Sequence, residues 1–173
     1  MTAALAYTDS SANARPLHVL ERTQLAGWRA TQSPAVNAWL DAQNFTAAPG
    51  SLLLLPGDAG LAGAVIGIGD PLDAYSYGHA PFGLPAGDWQ LATDLPDDAR
   101  TALQLGWGLG SYRFDRYKTL PRKPARLVLG QAEAEALDLL AASVRVRDLV
   151  NTPTEHMGPD DLEATTRELA QLH

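Results

Sequence analysis

The chain has 173 residues, 46% of them hydrophobic, which suffices for one domain with a substantial core plus an appendage. It contains no cysteine, which excludes a disulfide framework, a thiolate metal site and a cysteine nucleophile. The formal net charge of −7 opposes general attraction to nucleic acid, because that attraction comes from Lys and Arg neutralising phosphates.

Residues 1–15 are small and polar and read as a flexible leader; they lack the basic stretch and apolar core of a signal peptide. No apolar run approaches the roughly 18 residues that a membrane span needs. Pro16–Glu21 reads as a short strand. Thr23–Ala30 and Ser33–Asn44 read as helices. In the second, Ser33-Pro34 suits an N-cap and first helical position, and Val36, Trp39 and Leu40 fall on one face. Ser51–Gly57 and Ala62–Gly69 are short apolar runs bounded by turn residues. They predict strands buried on both faces and joined by a hairpin connection.

Asp70–Pro85 has no period and reads as an irregular surface segment containing a helical turn. Asp88–Thr93 alternates like a strand, Pro96–Gly110 is helical, and Ala125–Gly130 is a further buried strand. Gln131–Val150 is a long helix with Glu133, Glu135 and Asp138 early and Arg145 and Arg147 late, an order that complements the helix dipole. Asn151-Thr152-Pro153 stops it, since the residue before proline is pushed out of helical geometry. A last helix starts at Gly158-Pro159, with Asp160 and Asp161 at its positive end and Met157 placed to staple Leu162. Its stripe of Leu162, Thr165, Leu169 and Leu172 calls for a partner surface. Strands alternating with helices predict an α/β fold, a sheet flanked by helices.

Several polar or glycine-rich clusters suggest chemistry. Gly106, Gly108 and Gly110 lack the Lys-Ser/Thr of a phosphate loop and end a helical pattern instead of preceding one. Gly106 and Gly110 share a helix face, which predicts close packing against the sheet. Gly67-Ile68-Gly69 lacks the third glycine of a dinucleotide fingerprint, and Asp70-Pro71 breaks the helix that would follow, so it reads as a tight turn. His18, His79, His156 and His173 share no metal-binding spacing. Glu155 and His156 with Asp160 and Asp161 could be read as a metal cluster, but the aspartates suit helix capping better. Ser111 has no nucleophile elbow around it. Tyr75-Ser76-Tyr77-Gly78-His79 could rim a pocket without supplying a mechanism. Tyr112 to Lys118 interleaves aromatics with charges like a single-strand binding strip, yet Asp115 interrupts it. The residues alone assemble no catalytic constellation.

Two segments carry a resemblance. Gly110-Ser111-Tyr112-Arg113-Phe114-Asp115-Arg116-Tyr117-Lys118 resembles the GxYxFDxYK segment of the leucyl (cytosol) aminopeptidase family. Arg147-Asp148-Leu149-Val150-Asn151-Thr152-Pro153, followed by Met157-Gly158-Pro159 and Leu162, resembles that family's RDLxNTPxNxxxPxxL segment. Glu155 departs from the pattern, where the family commonly has Asn.

The resemblance implies that residues 16–150 are a macro-domain-like amino-terminal domain, a mixed sheet flanked by helices. Residues 151–173 would then be a linker and helix leading to a catalytic domain absent from this chain. It implies a cytoplasmic homo-hexamer that removes amino-terminal residues, often leucine, from peptides. The family uses two divalent metal ions, zinc or manganese, held in motifs such as NTDAEGR. None of those motifs occurs here, so no catalytic or metal-binding residue is expected in this chain. Gly110, Tyr112, Phe114, Asp115, Tyr117, Lys118, Asn151, Thr152 and Pro153 are expected to be structural. Arg113, Asp115, Arg116 and Lys118 are expected to form ion pairs, and Tyr112, Phe114 and Tyr117 to pack. A second reading follows from the macro-like fold: a module for ADP-ribose or another nucleotide, using Gly67 to Asp70 and Gly106 to Gly110. Some family members bind DNA through this domain, but the net negative charge opposes that here.

Overall fold

The computed structural model describes residues 6–58, 60–130 and 133–172. Its strands are β1 (Tyr7–Thr8), β2 (Arg15–Glu21), β3 (Leu52–Gly57), β4 (Gly60–Ile68), β5 (Asp88–Leu91) and β6 (Arg126–Val128). They form a mixed sheet in the order β1-β6-β5-β2-β4-β3. Neighbours run parallel except β3 and β4, which the short connection after Gly57 makes antiparallel. Helices α1 (Leu25–Ala30), α2 (Pro34–Ala42), α3 (Ala80–Gly83), α4 (Asp97–Ser111), α5 (Ala134–Asn151) and α6 (Pro159–Leu172) complete the chain. The fold is the α/β class expected from alternating strands and helices.

Alternate residues of the central strands face opposite layers, as the period of two requires. Leu17 and Val19 of β2 and Ala64, Ile66 and Ile68 of β4 share a core with Tyr77, Leu103 and Trp107. Leu20, Leu55 and Val65 face the other side, against Leu40 of α2 and Trp28 of α1. Outside α4 lies α5, where Leu140 and Val144 pack with Tyr112. Each tryptophan indole N–H finds an acceptor: Trp89 donates to Pro85 O at 3.1 Å and Trp107 to Ala125 O at 3.2 Å. Trp39 donates to Leu54 O at 3.0 Å and Trp28 to His18 Nδ1 at 3.2 Å. Trp89 and Trp107 are thereby fully buried without stranding a donor.

Three expectations are corrected. The leader expected over residues 1–15 includes Tyr7 and Thr8, which pair with Leu127 and Val128. The outer edge of β6 needs partners, and Leu127 N and Leu129 N donate to Ala6 O and Thr8 O. Residues 1–5 lie outside the described residues. The segment 70–85, read as an irregular surface segment with a helical turn, lies only partly at the surface, with Leu72 and Tyr75 exposed. Tyr77, Ala80 and Leu84 are fully buried, and the segment forms a 3₁₀ turn (Ala74–Tyr77) followed by α3. Finally, β3 is an edge strand whose end, Pro56 and Gly57, is exposed, so it is not buried on both faces.

The glycines of α4 pack closely, but against a different neighbour from the one expected. A methyl on Gly106 would lie 2.8 Å from the Ala74 carbonyl carbon, and one on Gly110 would lie 2.8 Å from that of Gly78. The close approach is therefore to the 74–78 segment, not to the sheet. Gly67 admits the 47–51 loop in the same way: Gly67 N donates to Ser51 O and Gly50 N donates to Gly67 O, both at 2.9 Å.

Candidate functional site

The fold brings the two aminopeptidase-like segments together at the joint between α4 and α5. Tyr112 follows the last turn of α4, and Asp148 and Asn151 lie on the last turn of α5. The Tyr112 hydroxyl donates to Asp148 Oδ1 at 2.8 Å and accepts from Asn151 Nδ2 at 3.1 Å. Arg147 lies with its guanidinium carbon 5.3 Å from the Tyr112 ring centroid, and its Nη1 donates to Leu109 O at 3.2 Å. Thr152 closes α5: its N–H and its hydroxyl both donate to Asp148 O, at 3.0 and 2.6 Å. Burial is the first cause that raises the Tyr112 phenol pKa. The phenol therefore stays protonated and able to donate at neutral pH.

A second fastening lies farther along both segments. Tyr117 stacks on His156 with ring centroids 5.4 Å apart, and its hydroxyl is 2.8 Å from His156 Nδ1. Phe114 meets Tyr117 edge-on at 5.7 Å. Tyr117 is 49% exposed, so it packs at the surface and not in the core.

The ion pairs expected of Arg113, Asp115, Arg116 and Lys118 do not form among the described residues. Arg113 instead lies 4.1 Å over the Phe82 ring and donates to Gly110 O and Tyr112 O. Arg116 approaches the Tyr117 ring at 5.6 Å. These cations meet ring faces and carbonyls, which suits guanidinium groups as well as carboxylates do. Asp115, Lys118 and Pro153 are exposed.

The other candidate residues stay apart. Ser111 is buried and donates to Trp107 O at 2.8 Å, which occupies its hydroxyl in the helix. Asp161 Oδ2 accepts from Gly158 N at 2.8 Å, so it caps α6. His18 accepts from Trp28, His79 is half-buried with an unpartnered Nε2, and His156 is at the surface. Burial lowers the pKa of both His18 and His79. His173 lies outside the described residues. Among the described residues no group of three His, Cys, Asp or Glu could hold a metal ion. Tyr75 rims a hollow of about 290 Å³ beside Gly106, Gly110 and Arg147. The glycines that would cradle a phosphate already face Ala74 and Gly78.

A family model for the M17 aminopeptidase, N-terminal domain, matches residues 15–130. The chain belongs to that family. Among solved structures, it resembles the cytosol aminopeptidase of Coxiella burnetii at 30% identity and a TM-score of 0.87. That match covers 97% of this chain and 38% of the other. The bottromycin maturation enzyme BotP in complex with manganese matches at 22% identity and a TM-score of 0.63, covering 93% of this chain and 37% of that one. A tomato leucine aminopeptidase variant matches at 16% identity and 0.64, covering 96% and 42%; these two show the fold alone. No curated protein matches the chain. This M17 N-terminal domain thus spans less than half the length of the solved chains it resembles. Its family-matched region ends at the close of β6, so α5 and α6 form an arm beyond it.

Sequence reading missed several contributors to the joint. Phe82 beneath Arg113, and Tyr7, whose hydroxyl donates to Gln104 O at 2.5 Å, come from segments read as irregular. Their aromatic character was the only available signal, and it named no partner.

Proposed function

We propose that this chain is the noncatalytic amino-terminal part of a metal-dependent aminopeptidase that removes amino-terminal residues, leucine among them, from peptides. The observation that carries the reading is the family match over residues 15–130 within a chain that covers 38% of a cytosol aminopeptidase. In this reading residues 16–150 form the domain body, and residues 151–173 form the linker and helix toward a catalytic part. Gly110, Tyr112, Phe114, Tyr117, Asn151 and Thr152 fasten that arm, while Asp115, Lys118 and Pro153 act at its surface.

The donors present do not fit a metal centre: the chain has no cysteine, and its described carboxylates and imidazoles do not cluster. Two divalent ions, zinc or manganese, would be held by residues outside this chain. Support for metal dependence comes from the manganese complex of BotP. The assembled enzyme would be a hexamer in the cytoplasm. Among the described residues no helix is long and apolar enough to cross a membrane. The nucleotide-module alternative is weakened by Gly67, Gly106 and Gly110, whose open faces are filled by the chain's own backbone.

The test is hydrolysis of a leucine anilide by the purified chain with manganese or zinc added. The expected result is no turnover above buffer. Turnover that a chelator abolishes would overturn the noncatalytic assignment.

A further inference from the structure

Strand β3 ends the sheet, and its composition suits it to pairing with a copy of itself. Residues 50–57 carry no charge, and the run Leu52-Leu53-Leu54-Leu55 makes up most of the strand. An edge strand presents unpaired N–H and C=O groups that template another strand, so edges are usually blunted by charge, by proline or by a covering group. Charge is missing from β3, and the covering group can be named.

Gly67 N donates to Ser51 O, so Ser51 turns its carbonyl toward β4. In an antiparallel pair, successive residues alternate between bonding the neighbour and facing away from it. Leu53 and Leu55 therefore bond β4 opposite Val65 and Gly63, while Leu52 and Leu54 direct their N–H and C=O away from the sheet. Trp39 comes from α2, whose Leu40 packs on the face of the sheet that holds Leu55. Its indole reaches the edge and donates to Leu54 O at 3.0 Å, with the residue 38% exposed. Among the described residues, no turn, loop or other side chain bonds the main chain of Leu52 or Leu54. Pro56, the next outward residue, has no N–H to offer, and the register shift between Leu55 and Pro56 ends the regular ladder there.

We propose that Trp39 keeps the β3 edge from adding the β3 of a second copy. The strand is self-complementary about Leu53. In an antiparallel pair of copies related by a two-fold axis, Leu52 of each copy faces Leu54 of the other, and the facing residues exchange N–H···O bonds. Each exchange needs a Leu54 carbonyl, and that carbonyl is already bonded to an indole. Pairing must break the indole bond in both copies and move both rings off the edge. Tryptophan suits this task because its N–H donates and its ring offers no acceptor, so it closes the carbonyl without presenting a group to an incoming strand.

The test uses two variants of the whole chain. Trp39→Phe keeps an aromatic ring beside β3 and removes the donor, and Trp39→Ala removes both. Each is compared with the parent by sedimentation velocity over a concentration series and by amide hydrogen exchange at Leu52 and Leu54. In the parent, both amides should exchange fast at every concentration. In both variants, sedimentation should shift with concentration to species heavier than the parent's by a second copy. Exchange at Leu52 and Leu54 should slow there by about tenfold or more, while β2 amides stay unchanged. Adding Leu52→Pro removes an outward N–H without touching a bond to β4, and should restore the parent's sedimentation. Parent-like sedimentation of the folded variants at every concentration would overturn the proposal. Concentration-dependent protection of Leu52 and Leu54 in the parent would overturn it too, because the edge would then pair with the indole in place. Association that survives Leu52→Pro would put the contact elsewhere, with the same consequence. Should Trp39→Ala lose β2 protection and unfold, Trp39→Phe alone decides.

Discussion

Replacing Gly106 with alanine sets two large effects against each other. Alanine in a helix interior is favoured over glycine by about 1 kcal/mol. At Gly106, however, the new methyl would overlap the Ala74 carbonyl oxygen and lie 2.8 Å from its carbon, against a comfortable carbon–carbon separation of roughly 3.5–4.0 Å. The obstructing atoms are main chain on both sides, so relief requires α4 and the 74–77 turn to part. Overpacking of that kind costs about 1–3 kcal/mol and more where backbone must move. The net expectation is destabilisation by about 1–2 kcal/mol, a fall in Tm of roughly 2–8 °C for a chain of this size. Gly27→Ala is the control, because a methyl there meets nothing within 4 Å on the exposed side of α1. It should gain about 1 kcal/mol from propensity alone. Thermal unfolding of the two variants beside the parent chain decides the matter. If Gly106→Ala stabilises as Gly27→Ala does, the close approach of α4 to the 74–78 segment is not what requires glycine.

Tyr112→Phe removes the donor to Asp148 and the acceptor for Asn151, and should cost about 1–2 kcal/mol in urea unfolding; an unchanged midpoint would remove the joint from the account of stability. Asp115→Ala, at an exposed position with no ion pair among the described residues, should stay within about 0.5 kcal/mol of the parent in the same assay, and a larger loss would reinstate the ion pairs first expected there. Stability should also depend on pH through His18 and His79, whose folded pKa values burial holds below the ordinary imidazole value. The unfolded chain then binds more protons, so their contribution is complete above about pH 6.5 and is lost as pH falls through that value toward the folded ones. Urea midpoints should drop over that interval, and His18→Gln with His79→Gln should flatten the drop; a profile unaltered by the pair of substitutions would refute this assignment.

The regular elements were legible because their signals are local. Ser33 caps α2 by accepting from Val36 N at 3.3 Å, as the Ser-Pro start implied, and Thr152 ends α5 just before Pro153. Ends of β4 and α4 fell within a residue or two of the turn and glycine signals. What escaped the reading was non-local. The pairing of Tyr7 and Thr8 depends on a strand more than a hundred residues away, and no local pattern announces it. The close seating of the 74–78 segment depends on gaps opened by Gly106 and Gly110 in another helix. At the candidate site, charge pattern suggested salt bridges, whereas Arg113 settled over Phe82, a residue whose position in a Gly/Pro-rich stretch gave no hint of contact.

The joint between α4 and α5 explains why residues of catalytic type recur in a region without catalytic geometry. Leu140 packs close over Gly108, and small residues at such a crossing let two helices approach. Apolar contact of that kind is non-directional, so it leaves their mutual angle loosely set. Hydrogen bonds supply direction. Tyr112 contacts Asp148 and Asn151 through one hydroxyl, while Arg147 returns from α5 to the carbonyl of Leu109 on α4. These links come from both sides of the crossing, so rotation of α5 about its own axis would break them together. Tyr117 and His156 then repeat the device one step farther out, where the chain turns into α6. The polar residues of the two segments thus fix where the arm leaves the domain.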